Sequence, residues 1–145
     1  MTNIVIGGLI EKDNKFLLVQ EAKEKCKGKW NIPAGHIEIN ESVIDCLKRE
    51  VKEETGCNIT PTGILEIGNK VLENDIFLSI IFGSKLIDEK IAYNLNEILN
   101  VKWFSYDEII KMKSKLRSPE IILKCIENYK SGKIVNLDVL NIIKR

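Results

Sequence analysis

The chain has 145 residues, 44% of them hydrophobic, and its 22 Lys and Arg against 21 Asp and Glu leave a formal net charge of +1. That is the length of one domain, able to bury about 68–70% of its unfolded surface, so neither disulfides nor a structural metal is needed to hold a core. Near-neutrality excludes a protein that coats a nucleic-acid polymer with surplus Lys and Arg, interspersed charges exclude a disordered tail, and a small phosphorylated substrate remains compatible.

In chain order, Ile4-Val5-Ile6 through Gly7-Gly8 to Leu9-Ile10 reads as a strand, residues 12–15 as a turn and Phe16-Leu17-Leu18-Val19 as the return strand of a hairpin. Residues 21–29 form a polar loop, and 30–35 a short extended piece whose Pro33 and Gly35 suit an irregular approach to a site. Between 42 and 55, Val43, Ile44, Leu47 and Val51 recur at helical spacing, and Gly56 stands where a helix ends on a left-handed residue. Strand-like runs follow at 63–67, 76–82 and 101–104. Helices are expected over 105–115, capped by Ser105, and over 119–129, capped by Ser118 with Pro119 in the first position. Residues 135–143 suit a closing strand or a docked tail. Strands, a helix, more strands and two helices predict a mixed sheet with helices packed on it.

Cys26, Cys46, Cys57 and Cys125 form no Cys-x-x-Cys pair, and there is one His, which argues against zinc. The cysteines read as small hydrophobes. With no basic-then-apolar leader and no apolar run near 18 residues, the sequence predicts a cytoplasmic chain with reduced thiols and no membrane association.

The acids between Gly35 and Cys57 are unusual for an amphipathic helix. On a wheel of about 100° per residue with Arg49 at zero, Glu53 lies near 40°, Glu50 near 100° and Glu54 near 140°, while Val43 and Leu47 lie near 120° and 160°. Glu50 and Glu54 thus overlap the flank of the apolar stripe, and Lys48 and Lys52 point away. Converging carboxylates repel one another and lose hydration, so a positive partner is required. A hard divalent cation that also holds substrate phosphates answers that need; a solvated acidic face with Glu–Lys pairs at helical spacing is the other reading, and it is weakened by Lys48 and Lys52 pointing away.

In register, Gly35, Glu41, Arg49, Glu50, Val51, Glu53, Glu54 and Gly56 match the box of the MutT/Nudix hydrolases, with Cys57 at its final aliphatic position as the one mild departure. The segment therefore resembles that family. The resemblance implies an α+β chain, an α/β/α sandwich of the Nudix fold with a mixed β-sheet and flanking helices, occupying residues 1–145 as one domain. It implies Mg²⁺ or Mn²⁺ held by Glu53, Glu54 and the Gly35 carbonyl, with Glu50 a further ligand or the base. Glu50 and Glu53 both stay open as the base. Arg49 is expected to orient the glutamates through a charge-assisted bond, with Glu41 as its partner. Outside the box, His36 and Lys29, with Lys23, are candidates for phosphate contact, Trp30 and Trp103 for core or pocket wall, and Glu97 for an additional acid.

The segments Phe16–Val19, Lys29–His36, Trp103–Ser105, Leu116–Pro119 and Tyr129–Gly132 resemble the NudJ-type phosphatases. That resemblance implies orthophosphate release from nucleoside di- and triphosphates or from thiamine-type pyrophosphates. Another Nudix specificity, for oxidised nucleoside triphosphates or nucleotide sugars, and a nucleotide-sensing domain without turnover are the alternatives. Oligomeric state is not readable from the sequence.

Overall fold

Strand β1 (Thr2–Lys12) runs through the middle of the sheet because its residues are apolar on both faces. In this computed structural model, which describes residues 1–145, Asp13 and Asn14 turn the chain with φ of 52° and 62°. Two left-handed residues suit the tight turn of a hairpin, and β2 (Lys15–Glu21) returns from it. β2 pairs with β1 only at the tip, Glu11 with Phe16 and Lys12 with Lys15. It then diverges to pair antiparallel with β3 (Trp30–Asn31) and with β7 (Ile98–Ser105). β1 in turn pairs antiparallel with β4 (Ala34–His36) and parallel with β6 (Ile76–Asp88), which carries β5 (Asn58–Val71) at its far side. The mixed sheet is thus splayed into two wings joined at the first hairpin.

Helices cover both faces. α1 (Val43–Thr55) lays Cys46, Leu47 and Val51 on Ile6, Ile10, Leu17 and Phe82. α2 (Tyr106–Lys111) and α3 (Pro119–Lys130) lay Ile109, Ile122, Cys125 and Ile126 on Leu9, Phe16, Leu18, Leu65 and Ile81. Each such side chain contributes roughly 1.5–3 kcal/mol when fully buried, and the alternation along β1 of Leu9 toward α3 and Ile10 toward α1 supplies both buried layers at once. The result is the expected α/β/α sandwich.

Several local expectations change. Every main strand extends beyond its apolar run, because paired β5 and β6 continue through polar residues as a long ribbon. The helix after Ser105 has its capping box, Ser105 with Glu108, but closes at Lys111 and passes into a 3₁₀ turn at Lys113–Lys115. Ser118 sits before Pro119 without capping; its Oγ instead accepts a bond from Lys70 Nζ at 3.1 Å. The C-terminal stretch docks through one bridge, Val135 with Ile64, followed by a 3₁₀ turn at Leu137–Val139. Cys46, Cys57 and Cys125 are buried and Cys26 half-buried, all unpaired. No helix is long and apolar enough to cross a membrane.

Candidate active site

α1 is held at both ends. The Ser42 Oγ accepts from the Asp45 N–H at 3.0 Å, and Gly56, at φ 83°, donates its N–H to the Lys52 carbonyl at 2.9 Å. A side chain at that φ is strained, and its Cβ would fall 2.1 Å from the Lys90 carbonyl oxygen. Between these caps the buried Leu47 and Val51 fix the rotation of the helix. Lys48 and Lys52 face solvent, and Glu50 and Glu54 flank the core.

Arg49 gathers the acids. Its Nε and Nη2 donate to the two Glu41 oxygens at 2.6 and 2.9 Å, a bidentate pair. Nη1 donates to Glu50 Oε1 at 2.7 Å and Glu53 Oε2 at 3.3 Å, and Nη2 reaches the His36 carbonyl at 3.2 Å. The guanidinium holds the Glu41 carboxyl down to about 2. Glu41 also accepts from the Glu38 N–H at 3.1 Å, which ties the loop before α1 to the helix.

Glu50 packs on the backbone of β4. A Cβ on Gly35 would lie 2.1 Å from Glu50 Cδ and 2.2 to 2.3 Å from its oxygens, so only glycine leaves room for the carboxylate. Gly35→Ala should displace it and destabilise the chain by about 1–3 kcal/mol as overpacking does. Thermal melts check this; a variant as stable as the parent would show that Glu50 need not sit there. Glu54 accepts the Ala34 N–H at 3.1 Å and faces a cavity of about 450 Å³. Burial first, then the charges of Glu21 and Glu50, push this carboxyl well above the usual range, against the Ala34 bond and Lys23. Burial also raises Glu50, with the Arg49 bond opposing.

The cavity is floored by the sheet at Val5, Ser79 and Ile81 and walled by Ile121 of α3. Gly35, His36 and Glu54 border it, as do Lys23, Lys25, Glu21 and Arg117. Lys29 does not: its Nζ donates to the Ser114 carbonyl at 2.8 Å and it lines a shallower hollow with Lys25, Lys27 and Arg117. Trp30 is 8% exposed and packs edge-on against Phe104, centroids 4.9 Å apart, in the core. Trp103 lies under Lys12 and donates to Glu89 at 2.9 Å. Glu97 is exposed in the turn before β7; its carbonyl holds the Ala22 N–H at 3.0 Å, and its residue does not border the cavity. The sequence reading missed Glu21 and Arg117, which are joined by a side-chain ion pair. Glu21 is 6% exposed; an acid closing a buried apolar strand was the available signal.

The donor set fits a hard divalent cation. All nearby ligands are oxygens, two carboxyls are raised by burial and like charge, and the Gly35 cradle keeps Glu50 close. Glu50 and Glu53 lean on Arg49 and Glu54 on Ala34, so no three acids are yet gathered as a ligand cluster.

The α/β/α sandwich thus carries an arginine-tied glutamate helix at the rim of a charged cavity. The NUDIX domain model matches residues 1–125. Across 142 residues the chain is 30% identical to the phosphatase NudJ of Shigella boydii, covering 95% of this chain and 90% of that protein. It is 39% identical over 64 residues to human 8-oxo-dGDP phosphatase NUDT18, covering 44% of this chain but 20% of NUDT18. A NUDIX hydrolase from Nitrosomonas europaea superposes with a TM-score of 0.89 at 33% identity, covering 99% of this chain and 98% of that one. The chain belongs to the Nudix hydrolase family and is a Nudix hydrolase.

Proposed function

We propose that the chain hydrolyses a phosphoanhydride bond in nucleoside di- or triphosphates or in thiamine-type pyrophosphates, releasing orthophosphate, with Mg²⁺ or Mn²⁺ as cofactor. The observation that carries the reading is the glutamate helix itself, with Glu50 and Glu53 tied to Arg49 and Glu54 facing the cavity from the Ala34 N–H. Carboxylates brought together at a half-buried cavity rim call for a cation there. Glu50, Glu53, Glu54 and the Gly35 carbonyl would hold the metal, which when bound neutralises phosphate charge and acidifies a water. Arg49 keeps Glu50 and Glu53 oriented, and either of the two takes the proton of the attacking water. Lys23 and His36, on the cavity border, meet substrate phosphate oxygens. The similarity to the phosphatase NudJ along 95% of the chain supports a phosphatase, and its substrate is expected to be a small phosphorylated molecule. Four unpaired thiols favour the cytoplasm.

A substrate panel scored for orthophosphate, pyrophosphate and mononucleotide tests this. Orthophosphate from a nucleoside diphosphate or thiamine pyrophosphate is the expected product. Pyrophosphate from a triphosphate would replace this reading with another Nudix specificity, and metal-bound protein that turns over no phosphoanhydride would replace it with a nucleotide sensor. The 64-residue match to an 8-oxo-dGDP phosphatase places that oxidised diphosphate on the panel.

A further inference from the structure

A second ion pair, apart from the glutamate helix, stands in the cavity wall. β2 ends at a bulge, its register against β7 slipping between Gln20 and Glu21, and a bulge re-aims the side chain that follows. The re-aimed Glu21 accepts from Arg117 Nη1 and, at 3.5 Å, from Cys26 Sγ. Arg117 comes from the break between α2 and α3, where its N–H is tied to the Trp30 carbonyl at 2.8 Å. A guanidinium offers five N–H donors in a rigid fork. Glu21 engages Nη1 alone, the side chain is 39% exposed, and the residue borders both the cavity and the neighbouring hollow, so its other donors are left free for a ligand. Lys23 and Lys25 border the same cavity, and Glu54 is within electrostatic reach of Glu21.

We propose that Arg117 receives the terminal phosphate of the substrate and that Glu21 is the positioning residue that holds its guanidinium, making the cavity selective for phosphoanhydrides with a free, doubly charged end. This rests on the phosphoanhydride reading above and narrows it. A terminal phosphate carries roughly −1.5 to −2 charge and three strong acceptor oxygens, and a phosphate esterified on both sides offers fewer of each. The fork of Arg117 matches such an end in a way a lone lysine does not. The segment Leu116–Pro119 thereby gains a role: Leu116 is buried beside Trp30, Pro119 starts α3, and Arg117 between them borders the cavity.

The probe is inorganic phosphate, titrated calorimetrically into the full chain. Arg117→Gln should weaken its binding by about 10- to 100-fold, as expected for a lost charged hydrogen bond, and Arg117→Lys should recover only part. Glu21→Gln should also weaken binding, although removal of a negative charge would by Coulomb's law alone tighten it. Because Arg117→Gln alone leaves the buried Glu21 without its partner, Glu21→Gln/Arg117→Gln provides a charge-balanced variant with the same expected loss. KM for a nucleoside diphosphate should rise by the same factor, with kcat much less affected. Unchanged phosphate affinity in Arg117→Gln, no phosphate binding by the parent chain, or a loss that follows Lys27→Ala and Lys29→Ala instead would overturn the assignment. Tighter binding in Glu21→Gln would overturn the positioning role. A parent chain that binds phosphate through Arg117 yet cleaves no phosphoanhydride would sink the hydrolytic reading and leave the phosphate site standing.

Discussion

Glu54→Gln should lower kcat on phosphoanhydride substrates by about 10²–10³-fold at saturating Mg²⁺, the scale of losing one preorganised electrostatic element, and should make the metal-free chain more stable. The two effects have one cause. The Glu54 carboxyl is raised well above its usual 4.5, first by burial and then by Glu21 and Glu50. The folded chain therefore holds that proton more tightly than the unfolded chain. The stability this group contributes is fully present below 4.5 and is lost as pH rises through its folded value. Glutamine has the same shape, keeps an oxygen for the Ala34 N–H and cannot ionise. Near pH 8 the variant should gain about 1–2 kcal/mol, roughly 2–8 °C in Tm for a chain of this size, and the gain should vanish near pH 4. Mg²⁺ at 100 times its Kd should stabilise the parent by about 2.7 kcal/mol and the variant far less. Melts at both pH values, with and without Mg²⁺, read all of this; a variant less stable than the parent at pH 8 would contradict the strain assigned to Glu54.

Arg49→Ala is expected to cost about 3 kcal/mol of stability, the lower end of the range for removing one partner of a buried pair, since Arg49 itself is 23% exposed. It strips Glu41 of two bonds and Glu50 and Glu53 of one each. Activity should fall by about 10²-fold or more, because the acids proposed to hold the metal lose their common anchor. The pH dependence has the opposite sense to that of Glu54. Glu41 is held down to about 2 from 4.5, so its contribution is present above 4.5 and is lost as pH falls toward about 2. The stability gap between parent and variant should therefore be widest at neutral pH and narrow across that acid window. Arg49→Lys keeps the charge without the fork, so it should recover stability better than activity. Chemical denaturation at pH 7 and pH 3 separates the cases, and a gap that does not narrow in acid would remove Glu41 from the account.

The glutamate helix was legible in the sequence because its determinants are local. Ser42 and Gly56 cap it, Leu47 and Val51 set its rotation, and about 100° per residue then places Glu50 and Glu54 beside the core with Lys48 and Lys52 outside. The Arg49–Glu41 pair was legible through the spacing of the box. Lys29 was misplaced for a different reason. A lysine next to a site motif has no local feature that says which way it faces, and its Nζ turns to the Ser114 carbonyl; Trp30 lies in the core, one of the two places expected for it.

By itself, the sequence determined the order of elements, the helix that carries the acids, and the family through the register of Gly35 to Gly56. Only the tertiary structure decided what surrounds that helix. Glu21 and Arg117 are 96 residues apart in the chain, and they meet because the bulge ending β2 and the break before α3 converge on one cavity wall. The pairing of β1 with β4 sets Gly35 against Glu50. Such juxtapositions depend on strand pairing and layer packing across the whole chain, which leave no periodic trace in local sequence.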